Sequence, residues 1–420
     1  MQLLTLSEYR ASEPLDLTGQ QLSDLRRLAP SIAVTPAFDG SGRVILTPGA
    51  EVGAINLGML QIEIRPKLPI DRLLFLLSYA MERGRWRDVP FDYGERQSLL
   101  EAIVPGFVAQ VRRALARGVL QGYRVEEEAL PTIRGRLRFD DQIRKRQGRF
   151  PPAEVRYDEF TEDIEENRLL KAAIERLSRL HLRSATTRRA LHAFDETLNA
   201  VQLVEYDPRR VPDLRWNRLN DRYRPAVELA RLILRATSFD LAHGGVRSSA
   251  FLVDMNTVFE DFVVVALRER LRLTERSFPQ GNRGHRLRLD QKGLIRLQPD
   301  ISWWEGSRCR FVGDVKYKRV RADGVLHPDL YQLLAYTIAA DLPGGLLIYA
   351  AGEAEPVIHE IVHIGKRLDV VTLDLAGTPD DVLAQVGVVA ERVRADLTPQ
   401  PPLLRGQGEV QIEDQSPLSA

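Results

Sequence analysis

The 420-residue sequence predicts a multidomain α+β and α/β chain. Three observations predict it. Residues 1–70 are β-rich: SIAVTPAF (31–38) and RVILT (43–47) flank Asp39-Gly40-Ser41-Gly42, a strong hairpin turn. Apolar runs at 52–60 and 60–65 add strands of a small sheet or barrel, with one short helix near 19–28. Residues 71–245 carry mainly helical periodicity. DRLLFLLSYAMERG, RQSLLEAIVPGFVAQVRRALARG, IEENRLLKAAIERLSRLHL and TTRRALHAFDETLNAV each read as helices, and another covers 217–241. The linker His243-Gly244-Gly245 then opens a third region, 246–396, in the order helix (251–273), hairpin, helix (328–340), strand (344–350), strand (356–364). Residues 397–420 are rich in Pro, Gly and Gln and are expected to be a disordered tail.

Within the third region, LQPDISWWEGSRCRFVGDVKYK (297–318) carries the most chemistry. A hairpin turning at Glu305-Gly306-Ser307-Arg308 pairs positions that sum to 614, so Asp300 faces Asp314 at roughly 5.5 Å between Cα atoms. Side chains alternate along a strand, so Lys316 shares the face of Asp314. Two carboxylates that close repel unless a cation stands between them. Hard divalent ions, Mg²⁺ above all and Mn²⁺ as a substitute, suit such a pair plus waters and phosphate oxygens. A neighbouring lysine can position a water or neutralise charge growing on a phosphate. The pattern therefore implies metal-dependent phosphodiester hydrolysis; an exposed hairpin with scattered charges is the plain alternative. Upstream, Glu260 interrupts the apolar run NTVFEDFVVVAL, where a carboxylate is costly without a partner. Downstream, Gln332 and Tyr336 stand four apart and share a helix face.

Helix-Glu, PD, DxK and QxxxY, in that order, resemble the PD-(D/E)xK nuclease superfamily. More narrowly, the chain resembles the McrC family, the nuclease subunit of McrBC-type modification-dependent (5-methylcytosine) restriction systems. IEIRPKLPIDRLLFLLSYA (62–80), RGRLRF (134–139) and YDEFTEDIEENRLLKAAIERL (157–177) extend the likeness over roughly 50–350. The resemblance implies a restriction-endonuclease-like core with Glu260, Asp300, Asp314 and Lys316 as catalytic set. The three carboxylates would hold the metal, and Gln332 and Tyr336 would be accessory. It also implies a McrB-like AAA+ GTPase hexamer as partner, docked through the N-terminal region, with modified double-stranded DNA as substrate. The chain lacks a G-x-x-x-x-G-K-[ST] loop, so nucleotide chemistry is assigned to the partner. Two other readings stay open: a RecB- or Cas4-like repair nuclease acting without a ring, and a non-cutting adaptor that activates an AAA+ motor.

Net charge is only +1, but the cations are clustered. Residues 131–149 hold seven Lys/Arg against two Asp, and 268–296 hold nine against three acids. Such stretches contact phosphates. The DNA-contact candidates are Arg134, Arg136, Arg144, Lys145, Arg146, Arg283, Arg286, Arg288 and Lys318, with Trp304 on the active face either a base-stacking platform or, the favoured alternative, a packed ring. An arginine-rich solvated surface is the alternative for both clusters. One cysteine, Cys309, excludes an internal disulfide framework and a four-cysteine iron–sulfur cluster, and fits a reducing cytoplasm. No secretory signal or 18-residue apolar run is present, so no membrane span is expected. His359-Glu360-Ile361-Val362-His363 matches H-E-x-x-H, a zinc signature that needs a helix. Here the β-branched segment reads as a strand, which would hold the two histidines roughly 13 Å apart.

Overall fold

The computed structural model describes residues 2–81, 99–180, 182, 184–241, 247–280, 287–317, 327–350 and 357–395. The expected disordered tail, Arg283, Arg286 and Lys318 lie outside them. The chain opens with β1 (Gln2–Ser7), α1 (Gly19–Leu28), the hairpin β2 (Ala33–Pro36) and β3 (Val44–Thr47), then β4 (Glu51–Leu57) and β5 (Leu60–Arg65). Thr18 starts α1 with a capping box: its hydroxyl accepts the Gln21 N–H, and the Gln21 side chain accepts the Thr18 N–H. Next come α2 (Ile70–Met81), α3 (Leu99–Leu115), β6 (Gly122–Leu130), β7 (Arg136–Leu137), α4 (Phe139–Arg146) and β8 (Ala153–Thr161). Then follow α5 (Glu165–Ser178), α6 (Ala185–Thr197), α7 (Arg224–Ala236), β9 (Thr237–Leu241) and β10 (Arg247–Asp254).

Two features differ from expectation. The middle region contains a three-stranded sheet, β6-β8-β7. β6, GYRVEEEAL, is charge-rich and carries a weak apolar signal, whereas β8, AEVRYDEFT, alternates apolar and charged residues over 153–158, a strand signal that the mainly helical reading of the region passed over. And the sheet formed by the first residues runs through the boundary drawn at 245/246. Its order is β1-β5-β4-β10-β9, with Phe251 of β10 opposite Ala54 of β4. Residues 251–254, expected as helix, are therefore strand. The helix that follows, α8 (Met255–Leu271), begins only where Asp254 caps it by accepting the Asn256 N–H at 2.9 Å.

The motif at 157–177 explains itself in packing terms. Asp163 accepts two hydrogen bonds from Arg168, at 2.8 and 2.7 Å, one from the Gln202 N–H at 2.9 Å, and another from Arg124. Buried Asn167 donates to the carbonyls of Leu120 and Glu162, tying α5 to the turn before β6. Gly135 of RGRLRF has φ +73°, and a Cβ there would lie 2.5 Å from the Arg156 carbonyl oxygen, so only glycine lets β7 reach β8.

After α8 come the short pair β11 (Leu287–Arg288) and β12 (Arg296–Leu297), then β13 (Ile301–Glu305), β14 (Arg308–Lys316), α9 (His327–Ala339), β15 (Gly344–Ala350), β16 (Val357–Glu360), β17 (Arg367–Leu373) and α10 (Pro379–Ala395). The sheet order is β13-β14-β15-β17-β16, with β14, β15 and β17 parallel. One face, carrying Phe311, Val315 and Tyr317, joins the large core with Phe259 and Phe262 of α8. The other, carrying Val312, Leu347 and Tyr349, packs with Leu333 and Tyr336 of α9. The sheet is thus covered on both sides, which explains the uninterrupted apolar run GGLLIYA: every residue of β15 is buried. Among the described residues, no helix is long and apolar enough to cross a membrane.

Candidate active site

The hairpin forms with the predicted register over Ile301–Gly313, Ser302–Val312 and Trp303–Phe311, each summing to 614. Beyond Trp303 the register shifts by one, and Glu305 pairs with Arg308 across Gly306-Ser307. A bulge at Arg310 reconciles the tight turn with the 614 register, so the two aspartates meet as expected. Asp300 lies just past the last ladder pair. Its Oδ2 accepts the Val315 N–H at 2.9 Å, extending the ladder through a side chain.

Asp314 is fully buried near the C-terminal end of β14. Lys316 Nζ lies 2.5 Å from Asp314 Oδ2 and 3.7 Å from Asp300 Oδ2, so the ammonium bridges the two carboxylates. Asp314 Oδ1 is buried and has no hydrogen-bond partner. Burial, with the Asp300 charge beside it, pushes the Asp314 carboxyl well above the ordinary carboxylate range. Burial works against the Lys316 ammonium, yet Asp314 and Asp300 outweigh it and hold the lysine more firmly protonated than usual.

Glu260 sits on α8, against the opposite face of the sheet from α9. It is half-buried, and its carboxyl is pushed up to about 8 by burial first and by the charges of Asp300, Asp261 and Asp314 next. It therefore feels both aspartates. Among the described residues, however, no three His, Cys, Asp or Glu side chains gather into a ready metal-ligand cluster. The structure brings Asp300, Asp314 and Lys316 together and leaves Glu260 as a flanking carboxylate.

Gln332 and Tyr336 meet as their spacing predicts: Gln332 Nε2 donates to the Tyr336 hydroxyl at 2.6 Å. Tyr336 in turn donates to the Gln298 carbonyl at 2.9 Å, two residues before Asp300. Burial and the charges of the aspartates raise its phenol further, keeping it a donor. Tyr336 thus anchors the segment that carries Asp300. One residue escaped the sequence reading. Asp329, in the first turn of α9, is buried, accepts the Tyr349 hydroxyl at 2.8 Å and adds a third negative charge acting on Lys316. Its only sequence signal is its place one turn before Gln332, and Tyr349 stands beside Lys316 only through the β14–β15 register.

Trp304 takes the packing role, not the base-stacking one. It lies on the predicted face but is 7% exposed, packed with Cys309 and Leu287, with its indole N–H donating to Ser302 Oγ at 2.9 Å. A buried ring cannot stack on a base; it forms core, because the pair β11–β12 and helix α9 cover this face. Of the other DNA-contact candidates, Arg288 carries a buried Nη1 without a hydrogen-bond partner. Arg134 and Arg136, with Arg138 and Arg156, line an open cavity of about 1270 Å³ on the β6–β8–β7 sheet. Arg144, Lys145 and Arg146 emerge from α4, already paired with Asp141 or Glu154. The HExxH segment is a short strand ending at Glu360 followed by a turn, with His363 at φ 68°, so it is not the helix that motif needs.

Gly313 holds the site's width. A Cβ there would lie 2.8 Å from both Ile301 Cδ1 and the Leu346 carbonyl oxygen. Gly313→Ala is expected to wedge β14 from its neighbours β13 and β15, lower stability by about 1–3 kcal/mol and spread Asp300 from Asp314. Denaturant melts check the first effect; an unchanged midpoint would refute it.

The family model for "McrBC 5-methylcytosine restriction system component" matches residues 46–350, more than half of the chain. The chain belongs to that family. Within the McrBC family it is 22% identical over 310 residues to the type IV methyl-directed restriction enzyme EcoKMcrBC of Escherichia coli K12, covering 68% of this chain and 86% of that one. Its fold is similar to a chain of the half-complex of Thermococcus gammatolerans McrB AAA+ hexamers with bound McrC. The TM-score is 0.50 at 18% identity, covering 92% of this chain and 100% of that one.

Proposed function

We propose that this McrBC-family chain is the Mg²⁺-dependent DNA endonuclease subunit of its restriction system, with a PD-(D/E)xK site. The observation that carries the reading is the buried Asp314 beside Asp300, both bridged by Lys316 at one end of a twice-covered sheet. A carboxylate pair in which Asp314 has raised proton affinity and one oxygen without a partner fits a hard divalent cation. Asp300 and Asp314 would hold the ion, with Glu260 flanking it through water. When bound, the metal supplies Lewis-acid polarisation of a phosphodiester and a more acidic water.

The chain's own residues do the rest. Lys316, protonated between the aspartates, places positive charge where the phosphate gathers negative charge. Tyr336, through the Gln298 carbonyl, fixes the approach of Asp300. By likeness to the family, modified-DNA reading and GTP hydrolysis belong to an AAA+ partner ring that this chain stimulates.

The test is plasmid cleavage in Mg²⁺ with and without the cognate AAA+ GTPase and GTP, on methylated and unmethylated DNA. Cutting that needs partner, GTP and methylation is the expected result. Cutting by the chain alone would favour a free-standing repair nuclease. Stimulation of the partner's GTPase with no cutting under any condition would leave only the adaptor role.

A further inference from the structure

The first strand of the chain ends against the catalytic strand. Glu8, the residue after β1, is fully buried, and its N–H donates to the Arg65 carbonyl at 3.2 Å. Its Oε1 accepts two hydrogen bonds: from the Lys67 N–H at 2.6 Å and from the Tyr317 hydroxyl at 3.0 Å. Lys67 lies in the IEIRPK segment of the N-terminal region. Tyr317 is the residue after Lys316, 309 positions along the chain from Glu8. Strand alternation sends Lys316 to the α9 face and Tyr317 to the α8 face. There the Tyr317 ring meets Phe259 at 6.1 Å, and Phe259 is the neighbour of Glu260. One carboxylate of the N-terminal sheet therefore holds a ring that abuts both elements of the site, the strand bearing Asp314 and Lys316 and the helix bearing Glu260.

A buried carboxylate is retained only where its hydrogen bonds repay its desolvation. Apolar packing alone would hold Tyr317; the charged acceptor adds direction. It sets the end of β14 at one height relative to β5, and so sets where the Lys316 ammonium stands between its two aspartates.

Resting on the nuclease reading above, we propose that Glu8 and Tyr317 are positioning residues for the catalytic strand, a fixed strut by which the N-terminal sheet sets the geometry of the phosphodiesterase site. The strut acts on the reacting geometry and on the metal pair, not on DNA binding. Tyr317→Phe removes one hydroxyl and keeps the ring packed. Glu8→Gln keeps an acceptor oxygen and removes the charge.

The experiment uses the full-length chain with its AAA+ partner and GTP, and compares wild type, Tyr317→Phe, Glu8→Gln, the double variant and Asp314→Asn. It reads the single-turnover cleavage rate, the KM for DNA, and Mn²⁺ affinity of the isolated chain by calorimetry. Tyr317→Phe is expected to slow cleavage on the order of 10- to 100-fold and to weaken Mn²⁺ binding severalfold, with KM for DNA unchanged. The double variant should be no worse than the more damaging single one, because both act on the same hydrogen bond: Tyr317→Phe removes its donor and Glu8→Gln weakens its acceptor. Wild-type cleavage and Mn²⁺ affinity in Tyr317→Phe, while Asp314→Asn loses both, would overturn the strut and leave the nuclease reading intact. Additive losses in the double variant, or a loss confined to KM, would overturn it too. Absence of both Mn²⁺ binding and cleavage in the wild type would sink the nuclease reading and the strut with it.

Discussion

Asp314→Asn is expected to abolish DNA cleavage, by on the order of 10³-fold or more, and in metal-free buffer to raise the thermal midpoint rather than lower it. The two effects have one cause. Asp314 is fully buried beside a second carboxylate, and its proton affinity is raised by burial first and by Asp300 next. A carboxyl whose folded pKa lies above its unfolded value destabilises the fold once pH exceeds that unfolded value. The loss grows until pH passes the folded pKa, so at neutral pH the fold carries the penalty. Asparagine has the same shape and no charge, so it removes the penalty together with the ligand. Lys316 keeps Asp300 as a partner at 3.7 Å. A rise of about 2 °C or more is expected. Mn²⁺ should stabilise the wild type and leave the variant unmoved. Calorimetric scans with and without the metal decide it. A variant that still cuts, or that melts well below the wild type, would refute the assignment. Sites that bind a cation between like charges store strain that a neutral substitution releases.

The second large effect is structural. Asp163→Ala is expected to cost about 3–5 kcal/mol. The carboxylate joins Arg168, the Gln202 N–H and Arg124, so α5, the 201–202 segment and β6 converge on it. Removing it leaves Arg168, whose side chain is 18% exposed, without its bidentate acceptor. Arg168 hydrogen bonding, against the opposing effect of burial, holds the Asp163 carboxyl well below its ordinary value of 3.8. The sign follows: a depressed folded pKa contributes stability that is complete above about pH 4 and is lost as pH falls toward the folded value. Wild type should therefore lose denaturant resistance on acidification below pH ~4. Asp163→Ala should start lower and lose less over the same range. Guanidinium midpoints from neutral to acid pH measure both, and parallel curves would refute the role.

Much of the site was legible because it is local. Asp300, Asp314 and Lys316 are joined by one hairpin, so strand alternation brings them close, although the tight turn alone pairs positions summing to 613 and the bulge at Arg310 is what restores 614. Gln332 and Tyr336 are four apart on one helix, and they do bond. The family-like segments likewise mark real joints, Asp163 with Arg168 and Gly135 against β8. Legibility ended where a position depends on what packs over it. Spacing put Trp304 on the right face but left its exposure open, since the covering elements come from 287–297 and from α9. The boundary at 245 failed to separate the sheets because β10 pairs with β4, nearly two hundred residues away in sequence, and no local signal marks such pairing.

The sequence by itself therefore pointed to the family, the mixed α/β class and Asp300, Asp314 and Lys316 as neighbours, because these rest on segment motifs and on spacing within one hairpin. Tertiary structure alone decided that Glu260 flanks the aspartate pair from across the sheet, that Asp329 presses a third charge on Lys316, and that Glu8 holds Tyr317. Each of these joins residues from different elements, and only the closing of the core, which no spacing encodes, sets their distance and their dielectric.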